Sequence, residues 1–152
     1  MGKSGADIGV VAGLVRASFL VNAVYTESAR EYGLTVQQGQ LLCVLMGRPY
    51  GMGDLGATLG LEKSSLTGLV DRAVKRGLVR REPDPDDRRA VHVVLTGAGH
   101  DLAEDFYAAA CRRVDELAAS LSTADRDRLA ALLGTIVREN QAPTVFLDAL
   151  QP

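Results

Sequence analysis

Tryptophan is absent from the 152 residues, and with three Phe and four Tyr the aromatics make up only 5% of the chain. A core without aromatic bulk is filled by Leu, Val and Ala, which favours packed helices over a β-sandwich. Cysteine is equally scarce. Cys43 and Cys111 lie 68 positions apart and form no C-x-x-C pair, which excludes a disulfide scaffold and suits a reducing compartment. With two histidines in all, the usual zinc-ligand spacings are missing. No metal or cofactor is expected, and His92 and His100 read as surface or capping groups. Gly and Pro total 21 of 152 residues, too few for a collagenous or low-complexity chain. Neither sign of charge dominates: 17 basic against 19 acidic residues give −2, which argues against a protein that coats nucleic acid indiscriminately. Residues 1–9 carry one Lys and no cleavage pattern of a secretory signal. The expectation is a soluble, cytoplasmic protein of one domain or two small ones sharing a core.

Hydrophobic residues are plentiful, at 47%. Val10 to Tyr25 is apolar at 12 of 16 positions, interrupted by Arg16 and Asn22. This run is shorter than the ~20 residues a membrane span needs, so no membrane is expected as a partner. Val11, Val15, Phe19 and Asn22 mark one face, and Val10, Leu14, Val21 and Tyr25 another. A helix apolar on two sides is buried on two sides, the second covered either by a partner subunit or by the rest of a monomeric bundle. Gly33 stops this helix, and Thr35 to Gln38 reads as a capping box opening the next, with Leu41, Leu42, Leu45 and Met46 at helical spacing. Gly47 to Gly53, holding Pro49 and three glycines, is expected to be a loop.

A short helix over Asp54–Leu59 ends at Gly60, and a longer one spans Lys63–Arg76 with Leu66, Leu69, Val70, Ala73 and Val74 inward. Gly77 stops it. Leu78–Glu82 and Ala90–Leu95 read as strands, the second with Val91, Val93 and Leu95 alternating at period two. Between them lies the polar turn Pro83 to Arg89. Thr96 is an N-cap for a long helix striped by Leu102, Phe106, Ala110, Val114, Leu117 and Leu121. A second capping box, Ser122 to Asp125, opens a helix with Leu129, Leu132, Leu133, Ile136 and Val137 inward. Pro143 ends it, and the tail Val145 to Leu150 is too apolar to leave in water. The fold class is mainly α with a small two- or three-stranded β wing.

The overall charge hides a basic patch, since Leu61 to Arg81 holds six cations against two acids. Two short helices around Gly60 followed by a hairpin make a winged helix-turn-helix. Its second helix must enter a major groove about 12 Å wide. Base edges offer donors and acceptors, so small hydrogen-bonding residues suit its exposed start, and Lys63, Ser64, Ser65 and Thr67 stand there. Gly68 lets the backbone approach closely. Leu66 and Leu69 seat the helix against Leu55 and Leu59, and the tight turn at Gly60 needs a residue free to take positive φ.

Leu55-Gly-Ala-Thr-Leu-Gly-Leu61, Ser64-Ser-Leu-Thr-Gly-Leu-Val-Asp-Arg72 and Arg76-Gly-Leu-Val79 resemble the winged-helix core of the multiple antibiotic resistance regulator (MarR) family. Asp84 to Thr96 with Gly99 is similar to its wing signature, the Asp-x-Arg falling on Asp87-Arg88-Arg89. The resemblance runs from about residue 8 to 140. It departs from the family pattern at Glu62, where a small N-capping residue is common, and at Gly56, where Ala is usual.

The resemblance implies a homodimer. Residues 1–34 and 97–152 would form interlocking dimerisation helices, and 35–96 the winged DNA-binding domain. It also implies a transcriptional regulator, most often a repressor, released from double-stranded DNA by a small aromatic or lipophilic effector. By position, Ser64, Ser65 and Thr67 would read bases or adjacent phosphates, and Lys63 and Arg72 would address the backbone. Arg89, with Arg88 beside it, would reach the minor groove, and Asp87 would hold the wing in shape by a salt bridge. An effector site would fall where dimer helices meet the winged lobe, with Phe19, Tyr25, Met46 and Phe106 either lining it or serving as core. Two other readings stay open. A winged-helix protein–protein module would suit the low net charge and acidic wing. A thiol-based redox sensor would need a low-pKa accessible thiolate, for which Cys111, beside Arg112 and Arg113, is better placed than Cys43 among its apolar neighbours. No nucleophile–base pair or phosphate-cradling glycine loop points to an enzyme.

Overall fold

The computed structural model describes residues 7–142. Pro143 and the apolar tail 145–150 lie outside the described residues. The order is α1 (Val10–Glu31), α2 (Val36–Gly47), β1 (Tyr50–Gly51), α3 (Met52–Leu59), α4 (Lys63–Lys75), β2 (Val79–Pro83), β3 (Val91–Leu95), α5 (Gly97–Glu116) and α6 (Thr123–Glu139).

Helix boundaries follow local chemistry. Gly33 takes φ +67°, so the chain leaves α1 in a left-handed turn and the Leu34 N–H donates back to the Ala29 carbonyl at 2.8 Å. Thr35 then opens α2 with a complete capping box: its hydroxyl accepts from the Gln38 N–H, and the Gln38 side chain accepts from the Thr35 N–H. Thr96 and Ser122 cap α5 and α6 through the N–H groups of Gly99 and Asp125. Gly33, Thr35 and Thr96 agree with the sequence reading, whereas the box expected at Ser122 to Asp125 is only half made, the Ser122 hydroxyl accepting from the Asp125 N–H.

The core is built on α2, whose residues Leu41, Leu42, Cys43, Val44 and Leu45 are all buried. Around it gather Leu55, Leu66, Leu69, Val70, Val79, Val93 and Phe106. Helix α5 lies against both α1 and α2, and α3 packs on α4. The Phe106 ring fits over Gly39, where an added Cβ would stand 2.6 Å from the ring. At the other end of α5, Gly99 rests on the backbone of Leu78; a Cβ there would come within 1.8 Å of the Leu78 carbonyl oxygen.

The segment read as a loop holds a strand. β1 pairs antiparallel with β3, Tyr50 opposite Val93 and Gly51 opposite His92, giving the sheet order β1-β3-β2. Tyr50 is buried, and the Arg48 guanidinium sits 3.8 Å from its ring centroid. β3 is therefore central, and α2, α3 and α5 all contact it. That explains why the expected alternation fails: Val93 and Val94 are both buried, whereas Val91 is 43% exposed.

The terminal helices depart further. α5 ends at Glu116, so Leu117 and Leu121 lie beyond it and are exposed. No residue of α6 is buried, and the stripe read as inward, Leu129 to Val137, faces outward from the protomer. Val74 on α4 is also exposed. α1 runs 22 residues, long and apolar enough by composition to cross a membrane, so shortness does not exclude a span. Most of its apolar side chains are open, among them Val11 and Phe19.

Gly99→Ala forces the α5 N-terminus off Leu78 and is expected to lower stability by about 3 kcal/mol. Urea unfolding at fixed protein concentration checks this; an unchanged midpoint would contradict the packing of α5 on Leu78.

Candidate nucleic-acid interface

Helix α3 ends at Gly60, which takes φ +65° as the turn demands. The Leu61 N–H donates to the Gly56 carbonyl, and a Cβ on Gly56 would meet the Leu61 carbonyl at 3.1 Å. The glycine that departs from the family's usual Ala thus lies directly under the turn. Helix α4 starts with Glu62 as N-cap, and its side chain makes no capping hydrogen bond. Its first N–H groups are left facing outward, a donor-rich, electropositive helix start.

Lys63, Ser64 and Ser65 are exposed on that first turn, and Thr67 is half-buried. The Thr67 hydroxyl donates to the Lys63 carbonyl at 2.8 Å and keeps its oxygen lone pairs available. Glu62, Lys63, Ser64 and Thr67 line one shallow surface depression. Gly68 leaves open space on this face of α4. The Arg72 guanidinium covers it: a Cβ added at Gly68 would stand only 3.2 Å from Nη1, so the space is filled by Arg72.

The wing stands on the same side. A cleft of about 780 Å³ opens between α3, α4 and the sheet, bounded by Met52, Gly56, Leu61, Thr67, Arg81 and Val91. Arg81 on β2 reaches across to Asp71 on α4 at 2.5 Å and ties the wing to the helix. Sequence reading counted both residues only as part of a charge sum, and the strand–helix pairing has no local signature.

Three of the four acidic residues of the wing, Glu82, Asp84 and Asp87, are engaged internally, and Asp86 is exposed. Glu82 pairs with Arg80 at 2.6 Å. Asp84 lies 3.0 Å from His92 Nε2 and accepts from the Asp86 N–H at 2.8 Å. Asp87 accepts from the Arg89 backbone N–H at 3.0 Å. This corrects the expected salt bridge: Asp87 shapes the wing tip through the backbone, in an Asx-type turn, and leaves the Arg89 guanidinium uncommitted. Among the described residues, Lys63, Arg72, Arg88 and Arg89 form no ion pair. Arg76 turns the other way, toward the α1–α2 turn.

The four residues considered for an effector site differ in their burial within the protomer. Phe106 is fully buried core, and Met46 packs against that core. Phe19 is 71% exposed on α1. Tyr25 is half-buried, and burial, reinforced by the nearby Cys111 and Cys43 thiols, pushes its hydroxyl up to about 12. Burial likewise pushes the Cys43 thiol up to about 12 and raises the Cys111 thiol, against a hydrogen bond with Tyr107 that lowers it. Both shifts run opposite to what an oxidant-sensing thiolate needs. His100, Asp101 and Glu104 bring ligand atoms within 4.8 Å of one another, but all three are exposed. An i,i+4 contact of 3.7 Å between His100 and Glu104 accounts for the grouping.

A helix-turn-helix whose second helix presents a polar, cationic start beside an antiparallel wing defines the winged-helix DNA-binding class. Residues 32–90 match the sequence model of the MarR family. The chain is 31% identical to the HTH-type transcriptional repressor NicR of Pseudomonas putida over 121 residues, 78% of this chain and 76% of that one. Its fold superposes on apo MarR of E. coli with TM-score 0.75 at 24% identity, covering 87% of this chain and 99% of that one. Bordetella bronchiseptica BpsR, whose DNA binding is regulated by 6-hydroxynicotinic acid, is 26% identical with TM-score 0.70, covering 89% and 97%. The chain belongs to the MarR family of winged-helix, DNA-binding transcriptional regulators.

Alkylation of Cys111 is expected to accelerate only above the ordinary thiol pKa of ~8.5. A pH profile of iodoacetamide labelling followed by mass spectrometry measures this; a labelling midpoint below neutrality would reinstate redox sensing.

Proposed function

We propose that this protein acts in the cytoplasm as a homodimer that binds a pseudo-palindromic operator and represses transcription until a small aromatic or lipophilic effector releases it. The observation that carries the DNA-binding part is the charge arrangement around α4 and the wing. Lys63, Arg72, Arg88 and Arg89 keep unpaired cations, while Glu82, Asp84 and Asp87 are each satisfied within the wing. Ser64, Ser65 and Thr67 then address base edges or phosphates, Lys63 and Arg72 the backbone, and Arg88 and Arg89 the minor groove. This arrangement also weighs against a protein–protein module that has lost DNA binding.

Dimerisation is supported by the apolar surface that the terminal helices leave open. Val11, Leu14, Val15 and Phe19 on α1, with Leu132, Leu133, Ile136 and Val137 on α6, together exceed what a monomer leaves in water. A second copy covers this surface with interlocking helices, which also explains an apolar α1 without invoking a membrane. The effector reading draws on BpsR. Phe19, Tyr25 and Met46 would line the site near the dimer helices, with the Phe106 ring as its buried floor.

Fluorescence anisotropy against duplex from upstream of the protein's own gene, with an unrelated duplex as control, tests the function. Tight, salt-dependent preference for the upstream duplex is expected, with half-sites about 10 bp apart. Arg89→Ala should weaken binding and flatten the slope of log K against log salt by about one unit. Absence of binding even at low salt would overturn the DNA-binding reading. Leu132→Asp should shift sedimentation from dimer to monomer, and a wild-type monomer would refute the assembly.

A further inference from the structure

Arg76 is a cation of the basic segment that the DNA-facing surface does not account for. It caps the C-terminus of α4, and its Nη1 donates to the Gly33 carbonyl at 2.8 Å and to Gln38 Oε1 at 3.3 Å. Gly33 is the left-handed residue that ends α1, and a Cβ there would lie 3.8 Å from Arg76 Nη2. Gln38 closes the capping box of α2 from its third helical position, and its oxygen already accepts from the Thr35 N–H at 3.0 Å. From the C-cap of α4, one guanidinium therefore links the carbonyl at the negative C-terminal end of α1, where the helix dipole favours a cation, to the capping box of α2. α1 packs on α2 and α5, and α4 on α2 and α3, so the Arg76 side chain forms a direct strut between the terminal helix and the recognition helix.

The root of α1 at this joint is itself fixed. Ser28 is fully buried, and the Arg113 guanidinium from α5 donates to its hydroxyl at 2.9 Å and pairs with Glu31. The anchored end of α1 thus ends at the carbonyl that Arg76 holds.

We propose that Arg76 is a positioning residue for operator recognition. It touches no DNA; it sets the tilt of α4 relative to α1, and hence, resting on the dimeric DNA-binding reading above, the separation of the two recognition helices. Both hydrogen bonds leave one nitrogen, Nη1, whose two N–H groups are fixed in the guanidinium plane, and a lysine ammonium that turns freely at the end of a flexible stem does not reproduce that geometry.

The test uses the full-length protein and an operator selected from random duplex DNA, together with operators whose half-site separation is changed by one base pair in either direction. Wild type is expected to discriminate among the spacings. Arg76→Ala should bind the native operator about fivefold more weakly, within the range of coupling between linked sites. Its salt slope should be unchanged, and its discrimination among spacings reduced. Arg76→Lys should behave like Arg76→Ala. A salt slope reduced by about one unit in Arg76→Ala and restored in Arg76→Lys would identify a phosphate contact instead and overturn the proposal. Undiminished affinity and spacing preference in Arg76→Ala would also overturn it. Should Arg76→Ala lose its thermal transition, Arg76→Lys and Gly33→Ala, which strains the same joint at φ +67°, carry the test: preserved spacing discrimination in both refutes the strut. Wild type failing to bind any duplex would instead refute the DNA-binding reading itself.

Discussion

The junction of residues 77–78 with residues 96–99 is the constraint on which the rest of the structure depends. Gly77 takes φ +71°, and the Leu78 N–H closes the end of α4 on the Ala73 carbonyl at 3.0 Å. The Thr96 hydroxyl donates to the Gly77 carbonyl at 2.6 Å and accepts from the Gly99 N–H at 3.0 Å, while the Thr96 N–H donates to the Leu78 carbonyl at 3.1 Å. Polar groups that chain reversal would leave orphaned satisfy one another at this point. The same few atoms end the recognition helix, start β2, end β3 and start α5. Absence of a side chain at Gly99 allows this, because α5 lies directly on the Leu78 backbone. The winged lobe is in consequence not a bead on a string. Its orientation is set by the helix that carries Phe106 into the core and Arg113 onto α1.

Electrostatics divide the molecule in the same way. An exposed ion pair contributes little stability on its own, typically under about 1 kcal/mol, so the pairs Arg80–Glu82 and Arg81–Asp71 are weak evidence of a robust wing. Their effect is on direction. Each occupies one acid of this region, and Lys63, Arg72, Arg88 and Arg89 form no ion pair among the described residues. In a chain of net charge −2 the unpaired cations of α4 and the wing tip are the charges left to meet a partner, beside the exposed acids Glu62 and Asp86.

Much of this was legible in the sequence where the cause was local. Thr35, Thr96 and Ser122 act within three residues of themselves, and Gly33, Gly60 and Gly77 declare their turns without reference to anything distant. The recognition helix and wing were legible for the same reason, their spacing being short and contiguous. β1 was not, because two residues inside a Gly- and Pro-rich stretch become a strand only through β3, more than forty positions away. The Asp71–Arg81 and Arg76–Gly33 contacts escaped likewise, since a charge sum records how many ions a segment holds and not which way they point. Asp87 shows the limit from another side: its motif suggests a salt bridge, but the partner seen is the Arg89 backbone amide, which no side-chain pattern announces.

The outward stripe of α6 shows what periodicity leaves undetermined. Leu129, Leu132, Leu133, Ile136 and Val137 repeat as an amphipathic helix must, yet the repeat specifies only that something apolar covers them. Among the described residues of the protomer nothing does. α6 is held by its Ser122 cap and by Arg126, which pairs with Asp115 and donates to the Ala118 carbonyl. An isolated helix of this length is marginal in water, so these polar ties orient α6 without supplying the burial that would keep it formed. α1 shares the condition, its C-terminal end anchored at Ser28 and its apolar N-terminal half uncovered. The order of these two helices is therefore linked to whatever covers them. In a self-associating chain the stability of such a region depends on protein concentration.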